Sequence, residues 1–514
     1  MVDRNNNNNN TDGGHDGDDD DDGEETLKYG LLNIVSSCDI LASSSSSSSL
    51  SCNIKVPKVR FGKTGIQIPI VTLGCMRFQQ TWDGTMNDFE KVSKECQDNL
   101  TETMYHAIHN LGINHIETAR GYGSSELQIG HAFKSIFDRG IKREDLIIQT
   151  KVNCMPAKDF RKTLETSFRL LQLDYIDLFS FHGVNMDFAY DLMFQNEDDE
   201  NLMDIIKEYQ AEGKIKHIGF STHGQPELIK RCIETDQFEY ANIHYHFLGS
   251  YTASGGGQCG GNLDNIRLMK EKDMGVFIIS PYDKGGKLYA PSKKLRSLIL
   301  PDLEPIQYGP LWLWNHEHID EQSAPIHTIT IGAARPSDLD EPVIAAYMMA
   351  NRKEEMIEKV KNVSKRLHDA EVDALGKDWI ENWHKGIVND VYSFGQIVWC
   401  HNLIKSYGML DYAKDRYAVF DKNLQSWDFE LSREENIGKS RIGWGYTPGI
   451  ATRLGSDYSP LLPNVPEKQK EQILKAIEFT YLHCSNNNTA AKLTIPEECE
   501  CAYDMRPWTA FPER

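Results

Sequence analysis

The chain has 514 residues and a formal net charge of −21, which is long enough for one large α/β barrel with an appendage. The acidic balance excludes a nucleic-acid partner recognised through phosphate charge. Residues 1–25 hold ten acidic residues against Arg4 alone, so this segment carries −9 of the net charge and the remaining chain −12. Eleven cysteines without framework spacing read as reduced thiols in the cytosol. No apolar run approaches membrane-spanning length, and the N-terminus has neither a secretory nor an organelle-signal pattern. A cytoplasmic protein without membrane contact is expected.

Residues 1–58 contain an Asn run (5–10), an acidic run (16–25) and a Ser run (43–49). Such a composition is too polar to offset the entropy of ordering, so a disordered tail is expected, with YGLLNIV (29–35) as its one apolar piece. From Val59 the texture changes. VRFGKTGIQIP reads as a β-hairpin, followed by eight strand patterns: VTLGC (71–75), HIETA (115–119), LIIQTKV (146–152), YIDLFSFHG (175–183), IKHIGFST (215–222), YANIHYHF (240–247), GVFIISP (275–281) and HTITIGA (327–333). Helix-period stretches such as SSELQIGHAFKSIF and FRKTLETSFRLLQL separate them.

Eight βα units predict an α/β fold of the (β/α)8 TIM-barrel type over residues 59–351, with an N-terminal β-hairpin. Two connections exceed what a barrel needs, GSYTASGGGQCGG (249–261) and the segment from Lys287 to Pro325. Both follow strands and so read as long rim loops, lids or substrate walls. Residues 352–514 hold six of the nine tryptophans (Trp379, Trp383, Trp399, Trp427, Trp444 and Trp508). They are expected to form a packed, mainly α-helical extension.

Four side chains fall at the ends of three successive strands, where such barrels keep their reacting groups: Glu117, Tyr122, Lys151 and His182. Reducing a carbonyl needs a proton donor at the oxygen and a group that shifts the donor's pKa toward neutrality. A phenol beside an ammonium serves, since Lys⁺ favours the phenolate. An imidazole orients the oxygen, and a carboxylate fixes the lysine. Taken singly, a strand-end lysine or histidine is more often a packing residue. A Glu117–Lys151 salt bridge inside the barrel mouth would use the same residues without any catalysis.

The segment NHIETARGYGSSELQIG resembles the aldo-keto reductase signature, in which Asp-Thr-Ala precedes Tyr-Gly and a Ser-Glu-x-x-x-Gly helix. TKV, FSFHG, GKIKHIGFS, ISPYDKGGKL and TITIGAARPSDLDE resemble that family's later blocks in order, over about Val59 to Glu341. The resemblance implies a barrel that binds NADP(H), with NAD(H) not excluded, and acts on a small-molecule aldehyde or ketone, or on the alcohol in reverse. It makes Tyr122 the general acid, Lys151 the residue that lowers its pKa and His182 the group that orients the carbonyl. Glu117 stands where the family has Asp, with about 1.5 Å of extra reach.

For the cofactor, the resemblance implies Ser221 and Asn242 at the nicotinamide, the latter where the family has Gln. Thr222 replaces the family's Asn, and Ile279 its aromatic. Ser280 and Lys284 are placed at the pyrophosphate. At the strand-8 block, Arg335 and Ser337 are placed at a 2′-phosphate on a helix N-terminus, and Glu341 at the adenine. The alternative reading makes Ser337-Asp338 a helix cap.

No metal is expected. His244 and His246, and likewise His316 and His318, lack a third ligand at diagnostic spacing, and Cys484, Cys499 and Cys501 are too few for an iron–sulfur cluster. The rival functional reading is a non-catalytic redox sensor that binds nicotinamide nucleotide and meets a protein partner through the tail or the extension. A relative that has lost the cofactor is a third.

Overall fold

The computed structural model describes residues 55–78, 80, 87–196, 199–248, 262–283, 288–319, 325–387, 389, 391–433, 435–436, 449–486 and 496–502. Residues 1–54 of the expected tail, with YGLLNIV, the loop 249–261, Lys284, Trp444 and Trp508 lie outside them, whereas residues 55–58, expected in the tail, are ordered, with Val56 buried and its amide on the Leu111 carbonyl (2.8 Å). Two short strands, β1 (Lys58–Arg60) and β2 (Gln67–Pro69), pair antiparallel as the anticipated hairpin. Eight strands then close a barrel: β3 (Val71–Gly74), β4 (His115–Glu117), β5 (Ile147–Asn153), β6 (Ile176–His182), β7 (Ile215–Ser221), β8 (Tyr240–His244), β9 (Gly275–Ile279) and β10 (Thr328–Gly332). All neighbours are parallel, with β10 against β3 completing the ring. The apolar runs of these strands suit a sheet buried on both faces, whose connecting helices pack outside.

Inward-facing residues stack in layers of different chemistry. At the N-terminal end, Phe61 and Ile68 of the hairpin region cluster with Ile147, Leu178, Tyr240 and Phe277, which plugs the barrel floor. The Tyr240 ring fits only because position 219 is glycine, where a Cβ would sit 2.5 Å from it. The middle layer is polar and wholly buried. His115 bonds Thr72 (2.7 Å) and Gln149 (3.1 Å), and Gln149 donates to Ser180 (3.0 Å) and Asn242 (3.1 Å). Paired in this way, these groups avoid most of the cost of burying polar atoms, with Asn242 Nδ2 the exception among them. The top layer carries Glu117, Lys151 and His182.

The segment from Lys287 to Pro325 differs from the long rim loop expected. It folds into helices Lys293–Ile299 and Pro305–Trp314. The local reasons are legible: Ser292 caps the first by accepting from the Leu295 amide (3.1 Å), and Pro305 opens the second. These helices pack against Asp340–Asn351 and Lys353–Leu375. Arg366 fastens the join, donating to the Leu298 and Ile299 carbonyls (2.7 and 3.0 Å) and pairing with Asp302 (2.6 Å).

The extension is helical as expected, with Phe394–Tyr407 buried almost all round between Leu410–Ser426, Glu467–Cys484 and Lys353–Leu375. A helix with no polar face belongs in a core. Trp383 and Trp399 are buried there, which is the packing that the tryptophan content suggested.

The floor plug gives a stability prediction. Phe61→Ala removes a fully buried ring whose neighbours belong to opposite strands and cannot collapse together, so a loss of about 3–5 kcal/mol is expected. Urea unfolding followed by circular dichroism measures it.

Candidate active site

Strand alternation explains why the candidate groups face inward. Gln149, Lys151 and Asn153 share the inner face of β5, while Ile148, Thr150 and Val152 face the helices. Register pairs Lys151 with Ser180, Asn153 with His182, His182 with Ser221 and Ser221 with Asn242. The carry-over residues on β5 to β8 therefore follow one another around the rim.

Beyond β4 the chain keeps close to β5 for three more residues, with the Thr118 amide on the Gln149 carbonyl (2.9 Å) and the Arg120 amide on the Lys151 carbonyl (2.9 Å). It then turns, with the Tyr122 amide bonding the Ala119 carbonyl (3.0 Å) and Gly123 taking a left-handed φ of 54°. This turn lays the Tyr122 ring across the barrel mouth. Helix Ser125–Asp138 anchors it. Ser125 Oγ donates to the Cys75 carbonyl (2.9 Å), and buried Glu126 pairs with Arg120 (2.7 Å) while accepting from Thr150 Oγ1 (2.6 Å). At Gly130 a Cβ would lie 2.0 Å from the Leu170 carbonyl oxygen. The Ser-Glu-x-x-x-Gly pattern thus sets the pose of the tyrosine loop. Arg120 and Thr150 belong to this support although the motif alone did not mark them; an acidic residue inside an otherwise buried helix face was the available signal.

All four residues of the quartet meet. The Lys151 ammonium, 1% exposed, pairs with the Glu117 carboxylate and donates to the Thr118 carbonyl (2.8 Å). It lies 4.8 Å from the centre of the Tyr122 ring, and His182 meets that ring edge-on at 5.5 Å. Burial pulls the lysine well below its usual range. Burial also raises the buried Cys75 thiol beside it, so the thiol is neutral at physiological pH.

One sequence expectation differs here. Lys151 approaches the ring face, and desolvation, the larger effect, raises the Tyr122 phenol above its ordinary value rather than bringing it toward neutrality.

The cofactor candidates divide. Ser221 and Asn242 are buried beside the quartet. Oδ1 of Asn242 is taken by Gln149 (3.1 Å), while its buried Nδ2 has no hydrogen-bond partner among the described residues. Ser280 sits just past β9 in a left-handed conformation (φ 57°). At the eighth strand the cap reading is the one realised. Asp338 accepts from the Ala334 and Arg335 amides (2.8 and 3.3 Å) and pairs with the Arg335 side chain (3.0 Å). A carboxylate therefore occupies the N–H groups proposed for a 2′-phosphate. Ser337 lies in the same turn (Pro336–Leu339). Glu341 is half-buried and accepts from Gln307 of the Pro305–Trp314 helix (3.5 Å), and burial raises its carboxyl.

The histidine pair also gained a neighbour that spacing could not reveal. Asp283, from the turn after β9, lies against His244 and His246.

Residues 71–259 match the model described as aldo/keto reductase family. The chain is 33% identical over 137 residues to glycerol 2-dehydrogenase (NADP(+)) of Saccharomyces cerevisiae, covering 26% of this chain and 36% of that protein. It is 33% identical over 147 residues to aldo-keto reductase family 1 member C13 of Mus musculus, covering 26% and 45%. It is 24% identical over 252 residues to the NADH-specific methylglyoxal reductase of Escherichia coli, covering 44% and 68%. The first two matches thus span less than half of either relative. Among the described residues no helix is long and apolar enough to cross a membrane.

The Glu117–Lys151 contact yields a test of the mouth. Glu117→Gln leaves a buried ammonium without its counter-charge and should destabilise the fold by about 3–5 kcal/mol. Glu117→Asp keeps the charge and should cost clearly less. Denaturant midpoints of the two variants beside the parent decide.

Proposed function

Residues 71–259 belong to the aldo/keto reductase family, and from that premise we propose that the protein is a nicotinamide-dinucleotide-dependent oxidoreductase that reduces an aldehyde or ketone, or oxidises the alcohol in reverse. The observation that carries this reading is the single cluster made by Tyr122, Lys151, His182 and Glu117 at the C-terminal ends of adjacent barrel strands.

The residues present fit such a cofactor at its carboxamide end. Asn242 Nδ2 is a buried donor lacking a partner among the described residues, and an amide oxygen is a matching acceptor. Ser221 adjoins it in register, and Ser280 lies on the neighbouring turn. When bound, the nicotinamide ring supplies the hydride to the carbonyl carbon.

The chain's own groups handle the oxygen. Tyr122 donates the proton to it, and its raised pKa keeps the phenol protonated through neutral pH. His182, edge-on to the phenol ring, directs the carbonyl oxygen toward it. Lys151 and Glu117 form a paired charge beneath the ring that favours the phenolate left after transfer. Closure of the barrel on every side but the mouth limits water around these charges. The departure of Glu117 from the family's Asp gives the sensor reading little ground, because the longer carboxylate still meets the lysine.

The relatives named by cofactor point both ways, NADP(+) for the yeast protein and NADH for the bacterial one. In this chain the deciding group is Asp338, because an added phosphate must displace a carboxylate from the Ala334 and Arg335 amides.

Two measurements test the proposal. Purified protein should consume NADPH or NADH with a panel of aldehydes, and Tyr122→Phe should lower the rate by about 10²–10⁴-fold without changing nucleotide affinity. Unchanged turnover in that variant would remove the mechanism. In the parent, reduction should show no loss attributable to Tyr122 as pH rises through neutrality, and should fall only above the ordinary phenol range near about 10. Separately, Asp338→Asn should shift the ratio of dissociation constants toward NADPH by about tenfold, equivalent to about 1.4 kcal/mol, as read by fluorescence titration with both nucleotides.

A further inference from the structure

Outside the proposed catalytic cluster, a second buried polar group is built around Asp283. The sequence His244-Tyr245-His246 places two imidazoles on the same side of the chain as it leaves β8, and the turn after β9 brings Asp283 up to both. His244 Nε2 lies 3.1 Å and His246 Nε2 3.9 Å from the same carboxylate oxygen, Oδ1. All three side chains are 1% exposed or less, and one ligand atom from each falls within 4.8 Å of the others. Four ligands arranged tetrahedrally around zinc at about 2.0–2.1 Å stand about 3.3 Å apart, so the edges to the carboxylate, 3.1 and 3.9 Å, lie near that spacing and the imidazole–imidazole edge closes from at most 4.8 Å.

An ion pair already exists at this place. Arg416, from helix Leu410–Ser426 of the extension, reaches both Asp283 oxygens at 2.5 Å, and the Tyr412 hydroxyl donates to Oδ2. That pairing accounts for Asp283 and Arg416 but leaves His246 unexplained. Neither of its ring nitrogens has a hydrogen-bond partner among the described residues, although the ring is buried against Trp399 and His244. A buried imidazole in that state is rarely tolerated without an unseen acceptor, donor or ion.

We propose that His244, His246 and Asp283 bind a zinc-class divalent transition-metal ion, with His244 Nε2, His246 Nε2 and Asp283 Oδ1 as protein ligands and water in the fourth position. Tyr412 and Arg416 then hold the carboxylate through Oδ2, as outer partners of metal-bound carboxylates do. Lone pairs from two imidazoles and one carboxylate are a donor set that suits zinc and cobalt better than magnesium or calcium. Both imidazoles ligate as neutral rings through Nε2, each with its proton on Nδ1. Such a site ties β8, the turn after β9 and the extension together. It is independent of the proposed reductase activity.

The test uses the full chain, purified without a histidine tag. Elemental analysis should find about one zinc per chain. After removal of metal by a chelator, Co²⁺ should restore about one equivalent and give the visible d–d bands of a nitrogen- and oxygen-ligated site. His246→Ala and Asp283→Asn should each weaken Co²⁺ binding by at least about 100-fold, while His318→Ala should not. Absence of both zinc and the Co²⁺ bands in the parent overturns the proposal, so it remains testable even where a variant fails to fold. Near-ultraviolet thiolate charge-transfer bands would place the ion on cysteines and overturn it equally, as would full binding by His246→Ala.

Discussion

A lysine ammonium at the top of a closed barrel imposes the conditions to which the rest of the mouth conforms. Lys151 is 1% exposed and its strand gives it no choice of face, because alternation on β5 turns it inward together with Gln149 and Asn153. A charge in such a place is tolerated only with a counter-charge and filled hydrogen bonds. Glu117 supplies the first and the Thr118 carbonyl the second. Both lie at the end of β4, so the pairing fixes β4 against β5 above the point where their ladder ends. It also fixes the start of the loop that carries Tyr122. The geometry of the quartet is therefore a consequence of satisfying one buried cation.

The layers below follow the same logic. A barrel interior that is apolar at the floor and charged at the rim needs a graded middle, and the His115, Gln149, Ser180 and Asn242 network provides it with neutral groups. His115 is kept neutral by burial, its pKa lowered to about 3. Gln149 links the floor tyrosine's layer to Asn242, so the amide that fits a nicotinamide carboxamide is held from beneath. Its orientation is set by a hydrogen bond that no substrate touches. That makes the proposed binding amide rigid before any ligand arrives, which lowers the ordering cost of binding.

Most of this was legible in the sequence because the relevant signals are local. Eight strand patterns with the right punctuation predicted the ring, and the strands fall within two residues of their expected spans, except that β8 stops at His244, three residues short. The quartet was readable because its members fall together at the ends of successive strands, although any one of them alone reads as a packing residue. Pairings between residues distant in the chain were not legible. Nothing near Arg335 in sequence showed that Asp338 would take the amides reserved for a phosphate, since cap and anion site use the same N–H groups and differ only in which anion is present. The segment from Lys287 to Pro325 read as loop because Pro301, Pro305 and Pro310 hid short helices whose stability comes from Lys353–Leu375, later in the chain.

The extension shows the same limit most clearly. Its helices announce themselves by periodicity, yet the residue that joins them to the rim, Arg416, looks in sequence like any surface arginine in YAKDRYAVF. In the fold it is nearly buried and meets Asp283, the last residue of a turn whose Ser280 and Asp283 both adopt φ near 57°. Non-glycine residues in that region cost of order 1–3 kcal/mol each unless their surroundings hold them, and serine lacks the ease that asparagine and aspartate have there. The Asp283 amide closes the turn on the Ser280 carbonyl (2.9 Å), while Arg416 and Tyr412 grip its carboxylate. The extension thus holds in place the strained turn that carries Ser280, one of the proposed cofactor contacts. The appendage therefore belongs to the architecture of the site rather than sitting beside it.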